Sequence, residues 1–409
     1  MLLHTFLKAR LRTGRLAVVY ANGRVETYGD GSGEPLAVRL TPRGELRILA
    51  HPALGLGEAY MEGDLSLERG DIGDLLALCA RNLPEATPIR HGPLARAWIA
   101  LRHHLRQAND RPRARAHVAH HYDLGVDLYR RFLDEDLQYS CAYFSRGDMS
   151  LDEAQSAKKA HIAAKLRLQP GMRVLDIGCG WGGLALTLAR DHGVEVLGVT
   201  LSTEQFEVAR ARAAAQGLAR RARFALCDYR DVDGAFDRIV SVGMFEHVGE
   251  PNYAAFFATV ARLMRDDGVA LIHSIGRRDP PDVTAPFIRK YIFPGGYIPA
   301  LSETTAAVEQ SGLWITDIEI LRLHYALTLH HWRERFAADR DEIARLYDER
   351  FCRMWEFYLA VSELSFRVGG HMNFQMQLAK RVEALPMTRD YMLDTERALV
   401  AGGRRRARA

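Results

Sequence analysis

The chain has 409 residues, 48% of them hydrophobic, and a formal net charge of +4. That length exceeds one ordinary domain and predicts two, with enough apolar residues for substantial cores. No apolar run reaches the roughly 18 residues a spanning helix needs, so no transmembrane helix is expected. The start, Met1 to Arg10, is too short and too basic after its apolar residues for a signal peptide. Cys79, Cys141, Cys179, Cys227 and Cys352 form no C-x-x-C pair. Scattered cysteines in odd number predict reduced thiols of a cytoplasm, with neither a disulfide framework nor a metal centre.

Residues 1–90 read as a small α+β domain. Leu16–Tyr28 is two β-rich runs around Asn22-Gly23, a hairpin signal. Leu36–Leu40 and Leu46–Leu49 continue as strands, Glu58–Asp64 reads as a turn, and Ile72–Ala80 as a helix. Residues 91–116 are a basic linker. Arg90, Arg96, Arg102, Arg106, Arg111, Arg113 and Arg115 crowd this stretch with His103 and His104, and Arg404, Arg405, Arg406 and Arg408 end a basic tail at 396–409. Such clusters suit an anionic surface, phospholipid or nucleic acid, or are simply a solvated helix face and a tail. If the contact is with a membrane, it is peripheral.

Residues 117–395 form the second domain. From residue 173 strands and helices alternate: strands at 173–177, 195–200, 223–226, 236–242 and 268–274, helices at 204–215 and 253–264. Alternation predicts a doubly wound parallel sheet, whose ligands bind beyond the carboxyl ends of the strands. Three apolar residues of the first strand feed Asp176-Ile-Gly178-Cys-Gly180-Trp-Gly182-Gly183, and a helical run follows. Glycines permit positive φ and close ligand approach, and the helix start offers free N–H groups. Gly178, Gly180 and Gly183 satisfy G-x-G-x-x-G, but no acid stands at the tip of the second strand, as a dinucleotide site would want. The D-x-G-x-G-x-G run resembles the nucleotide turn of S-adenosylmethionine (SAM) methyltransferases.

The second strand ends Val199-Thr200-Leu201-Ser202-Thr203-Glu204-Gln205. Thr200 and Gln205 are candidates for ribose hydroxyls, with Leu201 beside them and Glu204 a weaker candidate; Ser202 and Thr203 read as a helix N-cap. After the third strand, Asp228 offers a carboxylate for an adenine amino group and Tyr229 a ring to stack on it, although that ring could equally be core.

Further runs carry a more specific resemblance: His121-Tyr-Asp123, Tyr139-Ser-Cys-Ala-Tyr-Phe144, Phe245-Glu-His-Val-Gly249 and Phe287-Ile-Arg-Lys-Tyr-Ile-Phe-Pro-Gly-Gly296. With the glycine turn, they resemble the cyclopropane-fatty-acyl-phospholipid synthases and the related mycolic acid cyclopropane synthases. The likeness is strong over roughly 115–385 and looser in the first domain, through Gly57-Glu58-Ala-Tyr60-Met-Glu-Gly63-Asp64.

The resemblance implies a Rossmann-like SAM-dependent methyltransferase domain behind a small α+β domain that meets lipid or membrane. It implies methylene transfer from SAM to the cis double bond of an unsaturated phospholipid acyl chain, with bound bicarbonate as base. The alkene attacks the sulfonium methyl, and the base removes a proton from the new methyl so that the ring closes. The family pattern places bicarbonate on Cys141, Glu246, His273, Ile275 and Tyr325, and adds Tyr139 and Ser140 to the cofactor residues Asp176, Gly178, Gly180, Thr200, Leu201, Gln205, Asp228 and Tyr229. In chemical terms His273 and Tyr325 can donate, Glu246 can accept the bicarbonate hydroxyl, and Ile275 and Cys141 can offer backbone groups. Taken singly, His273 and Tyr325 read more readily as satisfied buried polar groups, and Cys141 as core. Tyr143, Phe144, Tyr291, Phe293 and Tyr297 are candidates to line an acyl tunnel and steady a cation, or are ordinary core; Arg289 and Lys290 are candidates to meet a lipid phosphate.

The implied setting is the cytoplasm, at the inner face of the membrane, with a second copy of the chain as a candidate partner and no nucleic acid. The amide- and methionine-rich run Phe366–Leu378 departs from the family pattern and leaves the late helical region and the acyl preference open. Three alternatives stand beside the main reading: a fatty-acyl methyltransferase that leaves a methyl branch or otherwise modifies the chain, a catalytically silent SAM- or lipid-binding protein, and a nucleic-acid methyltransferase. The last lacks an N/D-P-P-Y/F run after the fourth strand, where Met244-Phe-Glu-His247 stands.

Overall fold

The computed structural model describes residues 2–82 and 124–406, and divides into two compact units. The arginine cluster from Arg90 to Arg115, the run His121–Asp123 and Arg408 lie outside the described residues.

The N-terminal sheet has the order β2-β1-β3-β4, with β1 Leu16–Val19, β2 Val25–Tyr28, β3 Leu36–Leu40 and β4 Leu65–Arg69. The expected hairpin joins β1 and β2 in antiparallel register, its loop closed by Tyr20 and Arg24, with Gly23 at φ +80°. Two expectations fail here. Leu46–Leu49 is helical, inside Pro42–Ala50. Thr41 caps that helix and Pro42 opens it, and these start signals outweigh the short apolar run. Glu58–Met61 is also helical, the end of Pro52–Met61, and only Glu62–Asp64 turns.

The Gly57–Asp64 motif explains a third difference. The N-terminal unit gathers Thr284–Pro294 and Leu329–Gly370 as well as the N-terminal segment, so the second domain is not the continuous 117–395 expected. A side chain at Gly57 would strike the rings of Phe287 and Phe357, at 2.5 and 2.8 Å. Glu58 accepts from Lys290 at 2.6 Å and Tyr291 at 2.7 Å, and Tyr60 donates to Glu356 at 2.8 Å. Contacts this distant in sequence leave no local pattern.

The other unit holds a seven-stranded sheet of order β10-β11-β9-β8-β5-β6-β7, with β5 Arg173–Ile177, β6 Glu195–Thr200, β7 Ala222–Leu226, β8 Phe236–Val242, β9 Met264–Arg277, β10 Trp314–Ile320 and β11 His371–Ala379. β5 to β9 pair in parallel, while β11 runs antiparallel to β9 and β10. The expected doubly wound parallel sheet is thus mixed at one edge. The run read as late helix is partly β11, where alternation is the signal: Asn373, Gln375 and Gln377 share one face, while Phe374, Met376 and Leu378 join the core on the other. Strand order reverses between β5 and β8, which opens a crevice beyond their carboxyl ends. The expected tail is helical as far as Arg406, within Asp390–Arg406.

Candidate active site

A cleft of about 1280 Å³, counting its open mouth, occupies that crevice. All ten candidate cofactor residues line it: Asp176, Gly178 and Gly180 from the glycine turn, Thr200, Leu201 and Gln205 after β6, Asp228 and Tyr229 after β7, and Tyr139 and Ser140 from a strap ahead of the sheet. Glu204 is absent from the lining. Gly180 stands at φ +53°, and a side chain there would enter open space. Gly183 has a packing role, since a Cβ would meet Gln138 Nε2 at 2.4 Å.

Asp176 is fully buried, and burial pushes its carboxyl up to about 7 although the Lys158 charge pulls it down. Its Oδ2 has no partner. Thr200 Oγ1 donates to Gln205 Oε1 at 2.9 Å, so these two act as one hydrogen-bonded unit. Ser202 caps the helix Thr203–Ala215, as expected, but Thr203 is its first residue. Asp228, expected to accept from adenine, is held by Arg230 through Nε at 2.8 Å and Nη2 at 2.6 Å. Tyr229 meets Phe256 edge-on at 5.4 Å and keeps part of its surface in the cleft. The unpartnered Asp176 oxygen, the open space at Gly180 and the carboxylates fit a cofactor carrying an ammonium and a sulfonium.

Sequence reasoning passed over the residues that hold the strap. From the helix Leu151–Leu166, Gln155 Nε2 donates to the carbonyls of Gln138 and Ser140 at 3.2 and 2.9 Å. Lys158 Nζ donates to Gln138 Oε1 at 2.6 Å and Ser140 Oγ at 2.8 Å, and Lys159 pairs with Asp136. The available signal was a helix marked by a Ser150–Glu153 capping box whose polar residues at i, i+3 face inward.

The five candidate base-site residues fall outside the lining of the cleft; His273 and Cys141 connect to it through backbone. Gly243, which lines the cleft, donates to the His273 carbonyl at 2.9 Å, and Cys141 follows Ser140 in the strap. Glu246 Oε1 accepts from Ile275 N at 2.6 Å. Burial pushes the Glu246 carboxyl up to about 7 against the opposing pull of the Ile275 N–H and the Ser274 hydroxyl, and by geometry its Oε2 has no hydrogen-bond partner. Two expected donors are otherwise engaged. The Ile275 N–H is taken by Glu246, and His273 has both ring nitrogens against β11, Nε2 on Asn373 at 2.8 Å and Nδ1 on Gln375 at 3.0 Å. Desolvation drives the His273 pKa well down, so the ring is neutral. Burial raises the Cys141 thiol far above its ordinary range, and Ala142 N donates to Thr328 Oγ1 at 3.0 Å, one turn along the helix from Tyr325. Asn373 and Gln375 are further residues the sequence did not reveal; their period-two spacing with Gln377 was the trace they left.

The expected tunnel aromatics separate. Tyr143 is stacked between His161, at 4.2 Å, and His324, at 5.0 Å, and Phe144 N donates to His324 Nδ1. Tyr297 is buried and donates to Glu303 at 2.8 Å. Tyr291, Phe293, Arg289 and Lys290 belong to the N-terminal unit, where Lys290 pairs with Glu58, Phe293 meets Tyr358 edge-on and Arg289 is exposed.

A sheet of this order, with an acid-and-glycine turn at its switch point and a cleft suited to a cationic nucleotide, defines a SAM-dependent methyltransferase. The chain belongs to the mycolic acid cyclopropane synthetase family, whose model matches residues 109–376. Residues 2–85 match a domain of unknown function (DUF7884). The chain is 42% identical over 339 residues, 82% of it and 86% of its relative, to a protein of Escherichia coli K12 named cyclopropane-fatty-acyl-phospholipid synthase. It is 41% identical over 359 residues, 84% of it and 88% of the relative, to a probable fatty acid methyltransferase of Pseudomonas putida. Among solved structures, mycolic acid cyclopropane synthase CmaA1 complexed with SAH and CTAB is similar at a TM-score of 0.62 and 36% identity, covering 64% of this chain and 97% of the other.

Proposed function

We propose that this enzyme converts the cis double bond of unsaturated phospholipid acyl chains into a cyclopropane ring. The observation that carries the reading is the buried, unpartnered Oε2 of Glu246, fixed by the Ile275 N–H and joined to the cofactor cleft through His273 and Gly243. Bound SAM supplies a methyl group on a sulfonium, and bound bicarbonate supplies the base. Asp176 attracts the cationic end of the cofactor, Gly180 leaves room for it, and Thr200 with Gln205 faces its hydroxyls. Glu246 Oε2 accepts the bicarbonate hydroxyl, Tyr325 donates to the anion, and Cys141 closes the wall. His273 orders β9 against β11 and stays neutral. Burial of Glu246, His273 and Tyr325 keeps water from a cationic substrate centre, which water would otherwise trap.

The proposed setting is the cytoplasmic face of the membrane, bound peripherally, as one chain or as a pair. In support, no described helix is long and apolar enough to cross a bilayer, and the sequence carries concentrated arginine at 90–115. The second reading, a fatty-acyl methyltransferase that leaves a methyl branch, draws on the Pseudomonas putida relative being named a probable fatty acid methyltransferase. Mass spectrometry of lipids from cells expressing the chain decides between them. A gain of CH₂ located as a ring supports the proposal; a methyl branch overturns ring closure and leaves the methyltransferase intact.

A further inference from the structure

Lys158 is wholly buried on the helix Leu151–Leu166. Burying an ammonium costs several kcal/mol unless it is paired, yet both groups it hydrogen-bonds, Gln138 Oε1 and Ser140 Oγ, are neutral. Both residues also line the cofactor cleft. The carboxylates act at longer range: Asp134 and Asp136 from the strap, and Asp176 at the end of β5. The remaining ionisable groups facing Lys158 are Lys159, Cys141 and, from β9, His273. A residue needed only to fill space in this core would be apolar. A cation here does two things a methionine cannot: it grips two cleft residues at once, and it favours the ionised form of a third.

We propose that Lys158 is a positioning residue for cofactor binding, fixing Gln138 and Ser140 on the wall of the cleft and favouring the charge on Asp176 that meets the cationic amino-acid end of SAM. The proposal rests on the cleft being the cofactor site. Burial holds the Asp176 carboxyl near 7 against the pull of Lys158, and it lowers the Lys158 ammonium itself to about 8, so the cation is in place while Asp176 loses its proton. SAM affinity therefore rises with pH as Asp176 loses its proton, and without the ammonium that rise moves to higher pH.

Calorimetric titration of the full chain with SAM from about pH 5.5 to 8.5 tests this in the wild type and in Lys158→Met, Lys158→Arg and Asp176→Asn. The expected results are a wild-type midpoint near 7, a midpoint at least about one pH unit higher in Lys158→Met, and a return toward wild type in Lys158→Arg. At pH 7 the Lys158→Met variant binds at least about fivefold more weakly, its KM for SAM rises more than its kcat falls, and much of the loss recovers at pH 8.5. In Asp176→Asn the rise disappears. Equal midpoints in the wild type and Lys158→Met overturn the proposal, and so does a rise that persists in Asp176→Asn, a test that holds even if Lys158→Met does not fold. Normal SAM binding by a folded Gly180→Val variant would instead overturn the cleft as cofactor site.

Discussion

Glu246→Gln separates the chemistry of the candidate base site from its contribution to folding. The carboxyl is fully buried, with Oε1 on the Ile275 N–H, the Ser274 hydroxyl close by and no geometric partner on Oε2. Burial raises it from 4.5 to about 7, so the folded protein keeps a proton that the unfolded chain has already released. The stability tied to that proton is complete below pH 4.5 and is lost as the pH climbs through 7. At about 1.4 kcal/mol per pH unit, the gap amounts to about 3 kcal/mol. Glutamine copies the shape of the protonated acid and does not titrate. The variant and the wild type should therefore unfold alike near pH 4, while above pH 8 the variant should be more stable by about 3 kcal/mol, several degrees in Tm. Urea unfolding across that range measures the difference. Turnover should fall by roughly two to three decades, the effect of losing one polar partner in a preorganised charged site, while calorimetric affinity for SAM stays within about twofold. Parallel stability–pH curves would show that Glu246 ionises freely, and full turnover would remove it from the chemistry.

Gly180→Val should abolish SAM binding, because the open space at Gly180 is where a branched side chain would go; calorimetry on the folded variant checks it. Binding to anionic phospholipid vesicles should weaken steadily with salt, at about 1 kcal/mol per basic residue near the surface, and sedimentation across a salt series measures this; tighter binding to duplex DNA would favour the nucleic-acid alternative. In decarbonated buffer activity should fall and return when bicarbonate is added at constant pH. Tyr325→Phe should blunt that recovery by about 1.5–3 kcal/mol, the worth of a hydrogen bond to a charged group. Ring formation at full rate without bicarbonate would refute the assigned base.

The strands and turn that build the cofactor cleft were legible because each is a local signal. β6 and β8 span the residues expected, and Asp176, Gly178 and Gly180 come together through one short turn. What stayed hidden depends on pairing across the chain. Lys158 reads as one more lysine on a helix until Gln138 and Ser140, some twenty residues earlier, are seen on its ammonium. The alternating amides of β11 became meaningful only with β9 beside them, where Gln375 falls opposite His273 and Asn373 opposite Ile275. That register changes the chemistry expected of the site. A histidine read from sequence is a natural base or donor, but both nitrogens of His273 are committed and its ring is neutral. Under the proposed ring closure, a proton leaving the new methyl group must go elsewhere. Among the described residues, the unpartnered carboxylate oxygen beside Ile275 is Glu246 Oε2, which under the proposed function can either orient a small anionic base or, if bicarbonate proves dispensable, take the proton itself.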